Sequence, residues 1–232
     1  MIENSKIAEG IYRMALKAPE ISADACPGQF VNIYLGDKSM LLPRPLSISS
    51  AQADTVTLIY KVVGKGTAEL AAYRPGELVR LSTNLGNGFQ IETMFRDLGN
   101  HAGRNKVIAL AGGGMGTAPL AGLAKTIAEE KTKRGLHGDA VQVISIIGFQ
   151  EEPILLDEFE RYCSRVYTAT ENGSSGFKGN VLQLIEQNGL EADYCFACGP
   201  KPMLRALAHR CESAGVPLQV SLEERMGCGY GA

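Results

Sequence analysis

Val107-Ile108-Ala109-Leu110-Ala111-Gly112-Gly113-Gly114-Met115-Gly116-Thr117-Ala118-Pro119 decides the fold of this chain. Val107 to Ala111 is a compact apolar run of the kind buried on both faces of a parallel sheet. A helix is expected to begin near Pro119, where Leu120, Leu123, Ala124, Ile127 and Ala128 recur at helical spacing as one apolar stripe. Between the two, glycines permit a sharp turn and a close backbone approach, and the amides and dipole of the following helix favour an anion such as a pyrophosphate. The spacing is not that of the G-x-G-x-x-G fingerprint. Taken alone, the cluster also reads as a plain strand-to-helix turn.

Downstream the same rhythm continues. Strands are expected over 140–149, 166–170, 194–197 and 218–222, with helices near 179–187 and 202–214 between the later ones, which predicts a doubly wound parallel sheet. Such sheets bind ligands beyond the C-terminal ends of their strands. Upstream, strand-like runs at 7–16, 30–35, 46–49, 56–63 and 77–82 are broken by turn residues and by one short helix over 67–73. That spacing predicts an antiparallel barrel. The polar, glycine-bearing segment 97–105 is the expected boundary. The fold class is therefore two-domain, all-β plus α/β, with a barrel over 1–98 and a doubly wound domain over 99–220.

The 232 residues suffice for two cores. A formal charge of -2 offers no field for gathering nucleic acid or coating an anionic membrane, so a bound phosphate must be held locally. The N-terminus lacks a leader pattern and no apolar run reaches the ~18 residues that span a bilayer; a cytoplasmic location is expected. Cys26, Cys163, Cys195, Cys198, Cys211 and Cys228 read as thiols or ligands rather than a disulfide framework. Cys195 and Cys198 form a C-x-x-C, but it reads as the end of a buried strand.

Two features of the front half suit the same phosphates. Arg44-Pro45-Leu46-Ser47 opens a strand, where a guanidinium can clamp a diphosphate and a serine hydroxyl can donate to a ring nitrogen. Val63-Gly64-Lys65-Gly66-Thr67 forms a second glycine turn whose amides, with the Thr67 hydroxyl, suit phosphate or an ordinary helix cap.

With these residues in place the chain resembles the ferredoxin-reductase superfamily of flavoproteins, and within it the electron-transfer subunits of class 1B dihydroorotate dehydrogenases. The landmarks occur in order along the whole chain: Pro27-Gly28-Gln29-Phe30, Arg44 to Ser49, Tyr60 to Thr67, Leu85-Gly86-Asn87-Gly88-Phe89, the glycine cluster, Cys198-Gly199-Pro200-Lys201-Pro202-Met203, and Ser221-Leu222-Glu223-Glu224-Arg225-Met226-Gly227-Cys228. The resemblance implies that Arg44 holds the pyrophosphate of FAD, that Pro45, Leu46 and Ser47 line its isoalloxazine with Ser47 near N5, and that Tyr60, Lys61 and Val62 lie along the flavin. Gly66 and Thr67 complete the diphosphate site. Leu46 stands where many relatives carry an aromatic residue. Gly112, Gly113, Gly114, Met115, Gly116 and Thr117, with Cys198, Gly199 and Pro200, flank NAD(H), and Cys198 lies near the nicotinamide; a small buried apolar residue is the alternative for that cysteine.

Gly148-Phe149-Gln150-Glu151-Glu152 ends the second back-domain strand, where acidic side chains suit a ribose 2′-hydroxyl and repel a 2′-phosphate, favouring NADH over NADPH. Glu171 to Gly176 is a polar loop compatible with nucleotide contact or with a surface turn. His101, His137 and His209 are expected to face solvent. The implied chemistry is hydride transfer between nicotinamide and flavin, for which the protein supplies orientation.

The resemblance further implies a two-iron two-sulfur cluster on four cysteines, of which Cys228 matches the first, in a segment beginning at residue 221. The other ligands are not in matching positions and the sequence ends at Ala232, so the expectation is a truncated segment that cannot hold the cluster in this form. The implied partner is an FMN-containing dihydroorotate dehydrogenase catalytic subunit, in a heterotetramer serving pyrimidine biosynthesis. Two other readings share these motifs: the flavin subunit of another NAD(P)H-dependent complex, of ferredoxin reductase, sulfide dehydrogenase or hydrogenase type, and a nucleotide-binding redox sensor without turnover.

Overall fold

The computed structural model describes residues 1–37, 39–99, 105–136, 138–222 and 227. They fold as two compact units, Met1–Gly88 and a second that begins at Phe89.

The first unit is the expected antiparallel all-β domain. Strands β1 (Glu3–Ala8), β2 (Ile11–Lys17), β3 (Phe30–Tyr34), β4 (Arg44–Gln52), β5 (Thr55–Lys61) and β6 (Arg80–Leu81) pair in the order β1-β2-β5-β4-β3-β6. Alternate residues supply its core: Met14 and Leu16, Val31 and Ile33, Ile48, then Val56, Leu58 and Tyr60, with Leu70 inserted from helix α2 (Lys65–Ala72). This is the period-2 pattern of strands with one buried face. The run expected as one strand over 7–16 is a hairpin. Gly10 takes φ 66° in a two-residue Glu9-Gly10 loop, and a turn so short leaves the apolar alternation looking continuous.

Two helices lie outside the expectation: α1 (Pro19–Ala23), within the first unit, and α3 (Ile91–Gly99), in the other. The second moves the boundary from 98 back to Gly88, because α3 buries Met94, Phe95 and Leu98 in the second unit. The Phe89 and Phe196 rings meet edge to face with centroids 5.3 Å apart, and the Gln90 main chain exchanges two hydrogen bonds with the Gln219 side chain at 2.8 and 3.0 Å. Arg134 stacks on Phe95 at 4.4 Å.

The second unit is the expected parallel sheet. Strands β7 (Lys106–Gly113), β8 (Val141–Phe149), β9 (Arg165–Thr170), β10 (Phe177–Lys178), β11 (Tyr194–Cys198) and β12 (Leu218–Ser221) lie in the order β10-β9-β8-β7-β11-β12. Helix α4 (Thr117–Lys133) follows β7, with Leu120, Leu123 and Ile127 wholly buried; each contributes about 1.5–3 kcal/mol by leaving water. Helix α5 (Leu156–Tyr162) was hidden in the sequence by the charges of Asp157, Glu158, Glu160 and Arg161. Helix α6 (Val181–Gln187) starts on a capping box, with Asn180 Oδ1 accepting from the Leu182 and Gln183 amides while Gln183 accepts from the Asn180 amide. Helix α7 (Lys201–Ala214) stops at Gly215, which adopts φ 66°.

At the base of β7, Lys106 and Asp193 form a buried ion pair at 3.9 Å with side chains 9% and 8% exposed. Asp193 also accepts the Val107 amide at 2.9 Å.

Candidate functional site

In the second unit β7 is flanked by β8 on one side and β11 on the other, all parallel. The chain reverses its direction of growth across the sheet between β7 and β11, and loops leaving a parallel sheet at such a switch point part to form a ligand crevice. The glycine cluster follows β7 at that place. Gly112 pairs with Cys198 in register, so the turns Gly114–Gly116 and Cys198-Gly199-Pro200 leave adjacent strand ends together.

They interlock without side chains. A Cβ on Gly116 would lie 2.5 Å from the Cys198 carbonyl carbon, and one on Gly199 would lie 3.0 Å from the Gly113 nitrogen. Gly199 also needs φ 154°, which glycine alone adopts readily. Met203 and Pro200 close over Gly113, each placing an atom 2.9 Å from where its Cβ would sit. Met203 thus belongs to this turn, although the sequence marked it only as part of a landmark. Thr117 is fully buried and its hydroxyl donates to the Gly114 carbonyl at 2.8 Å, closing the turn at the head of α4. The helix begins there, earlier than the expected Pro119.

Cys198 is also fully buried. Its main chain shapes the turn, with the Cys198 carbonyl against Gly116. Cys195 lies three residues earlier on the same strand, so the two thiols point to opposite faces of β11. Cys195 packs with Cys211 beneath α7, and the hydrogen bond its thiol donates to that neighbour, together with burial, holds it above the ordinary range. Burial pushes Cys163 up to about 12. Among the described residues no three His, Cys, Asp or Glu side chains form a metal-holding group. Cys228 lies outside the described residues, as do His101, His137 and residues 223–226. His209 is exposed.

Beyond β8, Glu151 and Glu152 are exposed. The loop after β9 folds onto them, with the Glu171 amide donating to the Phe149 carbonyl at 3.0 Å and the Ser174 hydroxyl to the Glu151 carbonyl at 2.6 Å. The two polar loops thus form one rim.

In the first unit the structure brings Arg44 to helix α2. The guanidinium lies directly against Gly66, where a Cβ would fall 2.5 Å from its Cζ. A larger residue at 66 would fill the seat the guanidinium occupies. Arg44 Nη1 donates to the Leu42 carbonyl at 2.5 Å. The first-turn amides of a helix have no intrahelical acceptors, so a cation and a row of donors meet here, a set suited to a diphosphate.

Thr67 holds the turn that leads into α2. Its hydroxyl oxygen accepts from the Val63 and Gly64 amides at 2.9 and 3.2 Å and donates to the Gly64 carbonyl at 3.1 Å. It caps the helix that presents Gly66.

Alternation along β4 separates the residues grouped in the sequence. Leu46 and Ile48 pack on the core, while Pro45 is exposed and Ser47 half-buried. Tyr60 is a core residue, 1% exposed, stacked on Tyr12 and donating from its hydroxyl to Asn4 Oδ1 at 2.9 Å. Its burial pushes the phenol up to about 12. Asn4 in turn donates to the Leu70 and Tyr73 carbonyls, so Tyr60 sets the far end of α2. Lys61 is exposed and Val62 half-buried.

The landmarks Pro27 to Phe30 and Leu85 to Gly88 brace each other: Gln29 accepts the Cys26 amide and donates to the Gly86 carbonyl, and Phe30 exchanges main-chain bonds with Leu85.

No protein-family model matches the chain. It is 41% identical over 231 residues to the dihydroorotate dehydrogenase B (NAD(+)) electron transfer subunit of Geobacillus kaustophilus, covering 97% of this chain and 82% of that protein. It is 42% identical to the subunit of the same name from Bacillus caldolyticus, with the same coverage. Among solved structures, an NADH-dependent reduced ferredoxin-NADP oxidoreductase aligns over 100% of this chain and 78% of its own with a TM-score of 0.78 and 28% identity. The flavohaemoglobin-like FAD/NAD-binding domain of nitric oxide dioxygenase from Vibrio cholerae covers 94% of this chain and 95% of its own at a TM-score of 0.70 and 14% identity, a likeness of fold. With the landmark motifs in order and this identity over nearly its full length, the chain belongs to the family of dihydroorotate dehydrogenase B (NAD(+)) electron transfer subunits.

Proposed function

We propose that the chain carries electrons between NAD(H) and an FMN-bearing dihydroorotate dehydrogenase subunit by way of FAD. The observation that carries this reading is the seat of Arg44 against Gly66 at the head of α2. Arg44 and the first-turn amides neutralise the FAD diphosphate; Pro45, Ser47, Lys61 and Val62 border the ring system, and Leu46 supports it from the core side. Gly112 to Thr117 and Cys198 to Pro200 hold the nicotinamide nucleotide through main-chain groups. FAD, when bound, supplies the chemistry of accepting two electrons together and releasing them singly. The residues bind, orient and exclude water, and no side chain is needed as acid or base.

NADH is the preferred dinucleotide, because the exposed Glu151 and Glu152 oppose a 2′-phosphate. The relatives' name carries NAD(+) as well. Cys228 would serve as one ligand of a two-iron two-sulfur cluster, which would supply one-electron transfer toward the partner in a cytoplasmic heterotetramer. Among the described residues no helix is long and apolar enough to cross a membrane.

The test is an absorbance spectrum with flavin and iron assays, joined to NADH oxidation with ferricyanide. A yellow chain that oxidises NADH, and an Arg44→Ala variant that loses flavin, are the expected results. A colourless chain that takes up no FAD and leaves NADH untouched would overturn the reading in favour of a nucleotide sensor. The likeness to the NADH-dependent ferredoxin-NADP oxidoreductase favours one second reading, a ferredoxin-linked complex. Electron delivery to ferredoxin rather than to an FMN-bearing dihydroorotate dehydrogenase would select it.

A further inference from the structure

We infer that Glu69 is a positioning residue for Arg44, acting through residues 36, 37 and 39–43, and that it sets flavin affinity without touching the flavin. The inference rests on the reading of Arg44 as the diphosphate-binding residue. Nothing in the sequence singled out Glu69, and its role follows from which atoms meet around helix α2.

The loop joins β3 to β4 and ends at Arg44. Its first residues are pinned to α2: Glu69 Oε1 accepts the Gly36 amide at 3.2 Å and the Asp37 amide at 3.3 Å. The Tyr73 hydroxyl donates to the same oxygen at 3.1 Å and itself accepts from the Gly36 amide at 3.1 Å. Asp37 then organises the turn, its carboxylate accepting the Ser39 amide at 2.8 Å and its carbonyl the Met40 amide at 3.0 Å. The Ser39 amide holds the Asp37 carboxyl below its usual range. The last residues of the loop meet Arg44, whose guanidinium donates to the Leu42 carbonyl at 2.5 Å and reaches Met40 Sδ at 3.8 Å.

Arg44 then lies against Gly66, one helical turn before Glu69 on the same helix. The loop is therefore fixed to α2 at both ends, by amides at Glu69 and by the guanidinium at Gly66. An arginine has many rotamers, and holding its donors in one place removes an entropic cost that ligand binding would otherwise bear. Without the pins at Gly36 and Asp37, the carbonyl of Leu42 and the sulfur of Met40 lose their fixed positions and Arg44 loses its guides.

The experiment is a titration of the flavin-free full chain with FAD, read by flavin fluorescence, for Glu69→Leu, Glu69→Gln, Arg44→Ala and the Arg44→Ala/Glu69→Leu pair. Glu69→Leu removes the acceptor, and the FAD dissociation constant is expected to rise about tenfold. Glu69→Gln keeps an acceptor oxygen and is expected to stay within about threefold of the parent, since the amides require an oxygen rather than a charge. On the Arg44→Ala background Glu69→Leu is expected to add nothing. Hydrogen exchange at the Gly36 and Asp37 amides should quicken in both variants that carry Glu69→Leu and stay unchanged in Glu69→Gln. If Glu69→Leu does not fold, Glu69→Ala carries the same expectations.

A loss that adds fully to that of Arg44→Ala, an unchanged affinity in Glu69→Leu while Arg44→Ala loses flavin, or a Glu69→Gln variant as weak as Glu69→Leu would each overturn the inference. Unchanged affinity in Arg44→Ala would instead remove the diphosphate reading beneath it, and the inference with it.

Discussion

Gly66→Ala separates the demands of the fold from those of the ligand. The added Cβ would fall 2.5 Å from Arg44 Cζ. What it displaces is the far end of a flexible side chain, and the backbone of α2 is undisturbed. Alanine is favoured over glycine inside a helix by about 0.8–1 kcal/mol, so the flavin-free chain should be as stable as the parent or slightly more so. The guanidinium, however, must leave its seat. A charge-assisted hydrogen bond contributes about 1.5–3 kcal/mol, which at ~1.4 kcal/mol per decade corresponds to a rise of about 10- to 150-fold in the FAD dissociation constant. Thermal melts of the flavin-free chain and a fluorescence titration with FAD measure the two sides separately. Affinity within about twofold of the parent would refute the assignment of that seat to the diphosphate. A flavin-free chain destabilised by about 2 kcal/mol or more would show that Gly66 is required by packing instead.

Gly116→Ala should behave oppositely, because its Cβ would meet main chain at Cys198 and Gly199 that cannot swing away; urea denaturation should show a loss of about 1–3 kcal/mol. Asp193→Ala strands the Lys106 ammonium and the Val107 amide in the interior, and about 3–5 kcal/mol should be lost in the same assay. Asp193→Asn, which still accepts the amide, should lose less. Burial keeps the Tyr60 phenol protonated up to about 12, whereas in the unfolded chain it ionises near ~10. The unfolded state thus sheds a proton first, and stability present below the unfolded value is lost progressively up to about 12. Tyr60→Phe should flatten that alkaline decline in pH-dependent melts while losing about 0.5–1.5 kcal/mol near neutrality with the bond to Asn4.

The sequence by itself determined the two-unit plan, the order of the parallel strands' parent segments, and the turns at Gly112 to Gly116 and at Arg44, because each rests on local patterning: apolar period, glycine placement and strand-to-helix succession. It missed the Glu9-Gly10 hairpin and helices α3 and α5, where a two-residue turn or a run of charges masks the period. Tertiary structure alone decided where each marked side chain sits. Thr67 turned out to cap its helix, Tyr60 to sit in the core, Leu46 to face inward, and Cys198 to be sealed at the end of β11. Those outcomes depend on which face of a strand lies inward and on partners far along the chain. The placing of Arg44 against Gly66 and of Gly36 and Asp37 against Glu69 is of the same kind: these residues meet only because the chain folds back on α2, and no spacing in the sequence encodes those contacts.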